Sequence, residues 1–412
     1  MKFIINDQMV LLFAPEGPLV PYIASFSKWA IGQGYARCSL QQRVRIAAGF
    51  SRWLADESVR LRSVSSRHAA QYLRYRARRQ RIYEGDATAL GQLLDFLRDQ
   101  GAIPVEKVRG GRLSPAERCA QAFEWYLREE RALATATIVN YMRFVREFLK
   151  DRFGSGPAML SRLRAGDVVQ FVQRRAPRLH LKTAKLLTTA LRSFLQYGRY
   201  RGDIRLDLAA AVPLVANWSM SSVPRGIAPD QVRRLLARIN RRTAVGRRDY
   251  AILLLLARLG LRSGEVVFLE LDDINWKDGS FSVRGKGGRR FQLPLPADVG
   301  EAIVAYVRHG RPTSNSRRVF LRAKAPFRGF LGPSAVGSIV RHALLRAGID
   351  APTTGAHQFR HGLATEMLRH GASLREISEL LGHRSPETTK IYTKVDLDAL
   401  RTLALPWPGG VR

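Results

Sequence analysis

The chain has 412 residues, of which 46% are hydrophobic, and it carries 68 Lys and Arg against 34 Asp and Glu, a formal net charge of +34. This length exceeds that of one typical domain, and the apolar content excludes a disordered chain. So large an excess of positive charge favours a nucleic acid as partner, with the basicity of an Arg-rich genome and an anionic membrane surface as the weaker explanations.

The start of the chain, MKFIINDQMVLLFAPEGP, lacks the ordered charged, apolar and small-residue regions of a signal peptide. The longest apolar run, AILLLLA at 251–257, is too short to span a bilayer. Cys38 and Cys119 are the only cysteines, so there is neither a disulfide framework nor a CxxC metal pattern. We therefore expect a cytoplasmic protein.

The first half of the sequence predicts amphipathic helices that occur twice. Apolar and aromatic residues recur at three- and four-residue steps with arginines between them, which is typical of helices that pack around a core. The matching segments are 26–54 with 123–149, 65–79 with 165–178, and 87–101 with 188–202. Their offset grows from about 95 to about 101 residues, as small loop insertions would produce. Each copy is predicted to be a bundle of about four helices.

The second half of the sequence predicts a mixture of helices and strands. Residues 213–226 are rich in Pro, Ser and Gly and are interpreted as a linker. Two strands, 281–285 and 290–295, flank a tight Lys-Gly-Gly turn. Helices are predicted at 229–240, 248–260, 298–309, 333–347, 357–370 and 373–381, followed by a short helix around Thr389 to Tyr392 and an apolar one from Leu397 to Leu405.

Four segments of the second half carry groups that strand transfer on DNA without a metal would need. A phosphodiester gains negative charge in its transition state, so fixed cations, a nucleophile and a general acid must surround the phosphorus. Arginine suits the first task because its planar fork stays charged and grips two oxygens. The segments are 257–276 with Arg262, the hairpin 283–296 with Lys286, 357–371 with His357 and Arg360, and 380–395 with His383 and Tyr392.

These segments resemble the catalytic domain of the tyrosine recombinase, or phage integrase, family. The motifs read GLRSGE from Gly260, GKG around Lys286, HQFRH from His357 and LGH ending at His383, with Tyr392 shortly after. His383 follows His357 by 26 residues and Tyr392 follows His383 by nine, intervals that suit compact bacterial members. The resemblance covers roughly 225–395, and 112–212 is similar, more loosely, to the core-binding domain of the family.

On the side of the nucleophile and leaving group, the resemblance implies three residues. Tyr392 would attack phosphorus and form a 3′-phosphotyrosyl link, and His357 would help to manage the tyrosine proton. Lys286 would protonate the 5′-oxygen as it leaves. The basic residues of the same hairpin are the alternatives to Lys286, namely Arg284, Arg289 and Arg290.

On the side of the phosphate, the resemblance implies that Arg262 and Arg360 clamp the scissile group and that His383 bonds one of its oxygens. Glu265 resembles a supporting acid that orients its neighbours. His357 and His361 are also four residues apart, as zinc ligands can be, but the Glu that a metalloprotease places between them is absent. We expect neither a metal nor a cofactor.

The resemblance implies a mainly α-helical protein that ends in a mixed α+β catalytic domain with a small antiparallel sheet and closes on DNA as a C-shaped clamp. The predicted domains are 1–108, an additional helical domain; 112–212, the core-binding domain; 213–226, the linker; and 227–412, the catalytic domain with its tail. The two bundles would be copies of one SAM-like domain. Since compact members begin near residue 112, the first domain is either a second DNA-binding bundle or a contact between protomers.

The expected partner is double-stranded DNA with specific recombination sites, bound by a homotetramer because recombination needs four strand cuts. The tail from Leu397 to Leu405 would dock on a neighbouring subunit or pack on its own domain. A type IB topoisomerase and a catalytically silent DNA-binding regulator are the rival functions. Integration, transposition and resolution remain open as biological roles, and the extra domain favours a mobile element.

Overall fold

The computed structural model describes residues 3–5, 9–11, 14–106, 113–154, 156–215, 226–285, 290–351, 353–382, 389 and 392. Helices dominate these residues and a small antiparallel sheet accompanies them, which confirms the predicted fold class. No helix in these ranges combines the length and the apolar character that crossing a membrane requires. The chain divides into two compact units. One comprises Lys107–Ser221, and the other comprises Met1–Glu106 together with Ser222–Arg412.

The unit Lys107–Ser221 is a bundle of four helices around one apolar core. Its helices are α5 (Pro115–Trp125), α6 (Thr135–Phe153), α7 (Ala165–Arg175) and α8 (Leu181–Tyr200). Ser114 caps the start of α5: its side chain accepts a hydrogen bond from the backbone N–H of Glu117 at 3.1 Å. Phe123 and Phe194 meet edge to face in the core, with ring centroids 5.3 Å apart.

The second unit begins with a strand pair and another four-helix bundle. Strands β1 (Phe3–Ile5) and β2 (Met9–Leu11) pair antiparallel and had not been predicted. The helices are α1 (Val20–Gly32), α2 (Arg37–Asp56), α3 (Ser66–Ala77) and α4 (Asp86–Asp99). They enclose their own core, in which Phe50 and Trp53 stack with ring centroids 6.1 Å apart.

The two bundles have the same order of helices and share several core positions. Both have a 3-10 turn before the third helix, Leu61–Ser63 in the first bundle and Leu160–Arg162 in the second. Positions buried in α2 are also buried 98 residues later in α6: Leu40 with Ile138, Val44 with Met142, Ala47 with Val145 and Phe50 with Phe148. At the end of the fourth helix the offset is 101, where Gly101 and Gly202 both have positive φ. The fold therefore shows the repeat with an offset that rises from 98 to 101, a smaller drift than the predicted rise from about 95.

The remainder of the second unit holds the predicted catalytic segments around a core centred on α10. Its helices are α9 (Pro229–Ala237), α10 (Ala244–Leu259), α11 (Ser263–Phe268), α12 (Ala297–His309), α13 (Ser334–Ala347), α14 (His357–Arg369) and α15 (Leu374–Leu381). Leu253, Leu255 and Leu256 of α10 are fully buried, because apolar side chains cover this helix nearly all round.

Three antiparallel strands form the sheet in the order β3 (Ile274–Asn275), β4 (Ser280–Arg284) and β5 (Arg290–Pro294). The hairpin β4–β5 was predicted, whereas β3 and α11 were missed because two and six residues are too few for a periodic signal. Helix α10 begins four residues before its predicted start, since the Thr243 hydroxyl accepts a hydrogen bond from the Gly246 N–H at 3.0 Å. The predicted apolar tail helix lies outside the described residues.

Gly260 ends α10 in the left-handed conformation, with φ +59°. A Cβ atom here would lie 2.9 Å from Leu381 Cδ2 and 3.2 Å from Leu363 Cδ2, whereas Gly348, which ends α13 with φ +62°, has open space around that position. We expect Gly260→Ala to lower the free energy of unfolding by about 2–4 kcal/mol, from backbone strain and overpacking together. Gly348→Ala, the matched control, should lose only the strain, about 1–2 kcal/mol. Urea denaturation measures the free energy of unfolding of both variants. Equal losses in the two would contradict the predicted crowding around a Cβ atom at residue 260.

Candidate active site

Arg262 is the N-cap residue of α11 and lies two residues after the left-handed Gly260. The buried carboxylate of Glu265 accepts two hydrogen bonds of 2.7 Å, one from the backbone N–H of Arg262 and one from its Nη1. The Arg262 side chain is 30% exposed, so part of the guanidinium faces solvent. The spacing Arg-x-x-Glu thus produces a cation that its own helix turn holds in place.

Arg360 lies in the first turn of α14 and is buried, with 4% exposure. Its Nη1 donates to the Gly260 carbonyl at 2.9 Å, and its Nη2 donates to the Leu381 carbonyl at the end of α15. Burial, together with the positive charge of Arg262, lowers the pKa of Arg360 to about 10. The guanidinium stays protonated at neutral pH and connects the ends of α10 and α15 to α14.

Tyr392 is almost fully buried, with 1% exposure, and its ring packs with Ala364, Ile377 and Leu381. Its hydroxyl lies 3.1 Å from Nδ1 of His361, the residue that follows Arg360 on α14. Burial raises the pKa of Tyr392, and the positive charges of Arg360 and Arg262 oppose that rise. Both arginines therefore lie near enough to the phenol to act on it electrostatically, although Arg262 is 130 residues away in sequence.

His357 is the first residue of α14, and its ring centroid lies 6.3 Å from that of His361 one turn later. The family resemblance implies His357 for the tyrosine proton, and the sequence pattern indicates His361 only as a possible zinc ligand. In the structure, His361 is the imidazole seen hydrogen-bonded to the Tyr392 hydroxyl. The signal was available in the sequence, because an i, i+4 pair shares one helix face and His361 adjoins Arg360.

Lys286 and His383 lie outside the described residues, but the segments next to them come together. Strand β5 begins four residues after Lys286, and Gly382, with φ +58°, directly precedes His383. A Cβ atom on Gly382 would lie 3.1 Å from Cζ of Phe291 in β5. The hairpin stem therefore touches the end of α15, the same helix end whose Leu381 carbonyl binds Arg360.

Arg284, one of the alternatives to Lys286, has structural partners. Its Nη2 lies 2.6 Å from Oε2 of Glu270 and 3.8 Å from Oδ1 of Asp273. These ion pairs connect the carboxyl end of β4 with the segment that precedes β3. The Arg284 guanidinium is thus already paired with carboxylates, which makes it a weaker candidate than Lys286 for a contact with the DNA phosphate.

Comparisons with known proteins agree with these motifs. The pattern described as Phage integrase family matches residues 225–398, and that described as Phage integrase, N-terminal SAM-like domain matches residues 120–202. A protein of Sinorhizobium fredii provisionally named integrase/recombinase y4rA is 58% identical over 409 residues and covers 99% of both chains. Tyrosine recombinase XerD of Mycobacterium tuberculosis is 32% identical, covering 70% of this chain and 96% of its own.

One solved structure of similar fold is the XerH site-specific recombinase bound to a palindromic difH substrate. It matches with a TM-score of 0.54 and 18% identity, over 76% of this chain and 93% of that one. At this identity the likeness concerns the fold. The first 119 residues lie outside both matched patterns, yet the Sinorhizobium relative aligns over nearly the whole length. The extra amino-terminal part is thus shared with a close relative.

Proposed function

The chain belongs to the phage integrase family of tyrosine recombinases, and on that premise we propose that it cuts and rejoins double-stranded DNA through a 3′-phosphotyrosyl intermediate at Tyr392. The observation that carries this proposal is the grouping of the Tyr392 phenol with two guanidinium groups, Arg360 and Arg262. A phenol held beside fixed cations is suited to attack a phosphodiester, whose charge grows during the reaction.

Arg262 and Arg360 would bind the non-bridging oxygens of the scissile phosphate. Arg360 is held by two backbone carbonyls and Arg262 by Glu265, so neither has to reorganise when the phosphate arrives. Arg360 keeps its charge because its lowered pKa of about 10 is still well above neutral. Glu265 acts as a positioning residue that orients Arg262.

Lys286 would protonate the departing 5′-oxygen, and His383 would bond a phosphate oxygen. The approach of Phe291 to Gly382 supports both assignments, because it brings the hairpin stem and the residue before His383 to one place. His357, at the exposed start of α14, would help with proton movement around the phenol. Arg and Lys supply the positive charge in this scheme, so no step needs a metal ion.

The predicted division into an additional domain (1–108), a core-binding domain (112–212), a linker (213–226) and a catalytic domain (227–412) is retained as part of the proposal. The first two bundles share helix order and buried positions, and the second matches the SAM-like pattern. We assign both to DNA binding. The formal charge of +34 fits a long DNA contact, whose affinity should fall steeply with salt.

A homotetramer on DNA would carry out the exchange, because two duplexes with two strands each must be cut. The apolar tail from Leu397 to Leu405 would dock on a neighbouring subunit. A mobile element is the proposed setting. The reason is that the integrase/recombinase relative shares nearly the full length, whereas the XerD relative covers 70% of this chain.

The proposal can be tested without knowing the target sequence. Purified protein is incubated in EDTA with nicked duplexes whose sequence is randomised, and DNA that stays attached after denaturation is sequenced. A nick lets the short cleaved fragment diffuse away, so the covalent intermediate accumulates. We expect Tyr392-linked DNA with a common sequence. Absence of any covalent adduct would overturn the proposal in favour of a silent DNA-binding regulator.

The selected sequence then separates recombination from relaxation. Two copies placed on one plasmid should yield deleted or inverted products if the protein is a recombinase. A type IB topoisomerase would instead relax supercoiled plasmid lacking the sequence and would leave paired copies in place.

A further inference from the structure

The contact between His361 and Tyr392 gives the phenol a defined partner before any DNA is bound. The hydroxyl oxygen lies 3.1 Å from Nδ1 of His361, and the two ring centroids are 5.7 Å apart at an interplanar angle of 58°. In the tautomer that carries its hydrogen on Nε2, Nδ1 accepts a hydrogen bond from the phenol. This is the geometry that transfer of a proton from oxygen to nitrogen requires.

Helix α14 places this imidazole beside the buried cation that faces the same phenol. His361 follows Arg360 directly, and His357 lies one turn earlier with its ring centroid 6.3 Å from that of His361. The Tyr392 ring belongs to a buried apolar cluster with Ile377 and Leu381. One turn of α14 therefore carries both Arg360, which is proposed to bind the phosphate, and His361, which contacts the Tyr392 hydroxyl.

The phenol needs such an acceptor because it remains protonated in its apolar surroundings. Burial raises the pKa of Tyr392 despite the positive charges of Arg360 and Arg262. A neutral phenol attacks phosphorus poorly, and its proton must leave as the new bond forms. Solvent has little access to this side chain, which is 1% exposed.

We propose that His361 is a catalytic residue on the nucleophile side, which accepts the proton of Tyr392 as the phenolic oxygen bonds to phosphorus. This inference rests on the proposed function of Tyr392. In cleavage the Tyr392 O–H bond breaks, the O–P bond forms, and the proton moves to Nδ1 of His361. The bond from phosphorus to the 5′-oxygen breaks, and Lys286 donates a proton to that oxygen. Rejoining reverses each transfer, so His361 returns its proton to the departing phenolate.

The test compares single-turnover cleavage of the selected nicked duplex by wild type, His361→Ala, His361→Asn and His370→Ala. His370, exposed at the end of α14, is the matched control and should cleave at the wild-type rate. His361→Ala should be slower by about 10²–10⁴-fold at saturating DNA, the usual contribution of a positioned acid or base, with unchanged DNA affinity. Asn can hydrogen-bond the phenol but cannot take its proton, so His361→Asn should be comparably slow. If His361→Ala fails to fold, the cleavage rate of His361→Asn tests the role of His361 instead.

A second substrate distinguishes a defect in protonation of the leaving 5′-oxygen from a defect in activation of the Tyr392 nucleophile. Sulfur in place of the bridging 5′-oxygen leaves without protonation, so it should restore cleavage by Lys286→Ala and leave His361→Ala slow. Restoration of His361→Ala by sulfur, a wild-type rate in His361→Ala, or full activity in His361→Asn would each overturn the inference. Wild-type adduct formation that needs Tyr392 establishes the proposed function independently, so these outcomes would remove the role of His361 alone.

Discussion

Replacement of Tyr392 with phenylalanine is expected to abolish covalent attachment to DNA while leaving DNA binding and folding intact. The substitution removes the hydroxyl that would form the bond to phosphorus and keeps the ring that packs with Ala364, Ile377 and Leu381. The cost to folding is one hydrogen bond to His361, about 0.5–1.5 kcal/mol. Denaturing electrophoresis of the selected nicked duplex measures the adduct, and native gel retardation measures binding.

Tyr306→Phe provides the matched control for this experiment. Tyr306 is equally buried, at 1% exposure, and its hydroxyl accepts a hydrogen bond from the Leu321 backbone N–H at 3.2 Å. It lies on α12, outside the proposed catalytic residues, so its variant should form the adduct at the wild-type rate. An adduct that persists in Tyr392→Phe would show that another side chain is the nucleophile.

Substitution of Arg360 is expected to impair both stability and cleavage. Alanine would leave the buried carbonyls of Gly260 and Leu381 without their donor, at about 1–3 kcal/mol each, so the free energy of unfolding should fall by about 2–6 kcal/mol. Loss of a fixed cation at the phosphate should slow cleavage by about 10²–10³-fold. Lysine keeps the charge without the planar fork and cannot reach both carbonyls as well as a phosphate, so Arg360→Lys should also be strongly impaired.

Urea denaturation and single-turnover cleavage measure the two effects separately. Arg375→Ala on α15 serves as the control, because that side chain is 88% exposed and pairs only with Glu379 of the same helix among the ion pairs described. It should change neither quantity appreciably. Arg360→Lys that cleaves within a few fold of wild type would contradict the two-carbonyl anchoring as a requirement for catalysis.

Features of the fold with a local signal could be predicted from the sequence. Gly260 was identified as the end of a helix and has φ +59°, because glycine adopts this conformation at little cost. The hairpin around Lys286 and the bounds of α13 and α14 followed from alternation and from helical periodicity. The repeat of the two bundles was visible because the same core positions recur, as Phe50 and Phe148 do.

Features that arise from tertiary contacts could not be predicted in the same way. No sequence pattern indicates that the guanidinium of Arg360 would end between the carbonyls of Gly260 and Leu381, 100 and 21 residues away. The hydrogen bond between His361 and Tyr392 likewise joins groups 31 residues apart, although the position of His361 beside Arg360 was visible in the sequence. The catalytic roles of Arg262, Lys286, His357, Arg360, His383 and Tyr392 stay predictions until the variants are measured.

The apolar setting of Tyr392 also bears on how long a cut DNA end survives. A phenol whose pKa is raised is a poorer leaving group than one in water, because its anion is less stable. We therefore expect the phosphotyrosyl bond to break slowly wherever His361 does not protonate the departing phenolate, so that the linkage persists until a 5′-hydroxyl attacks in the proposed rejoining step. A long-lived linkage would give the cut strand time to meet a different 5′-end. Throughout that time the cut DNA would stay attached to the protein.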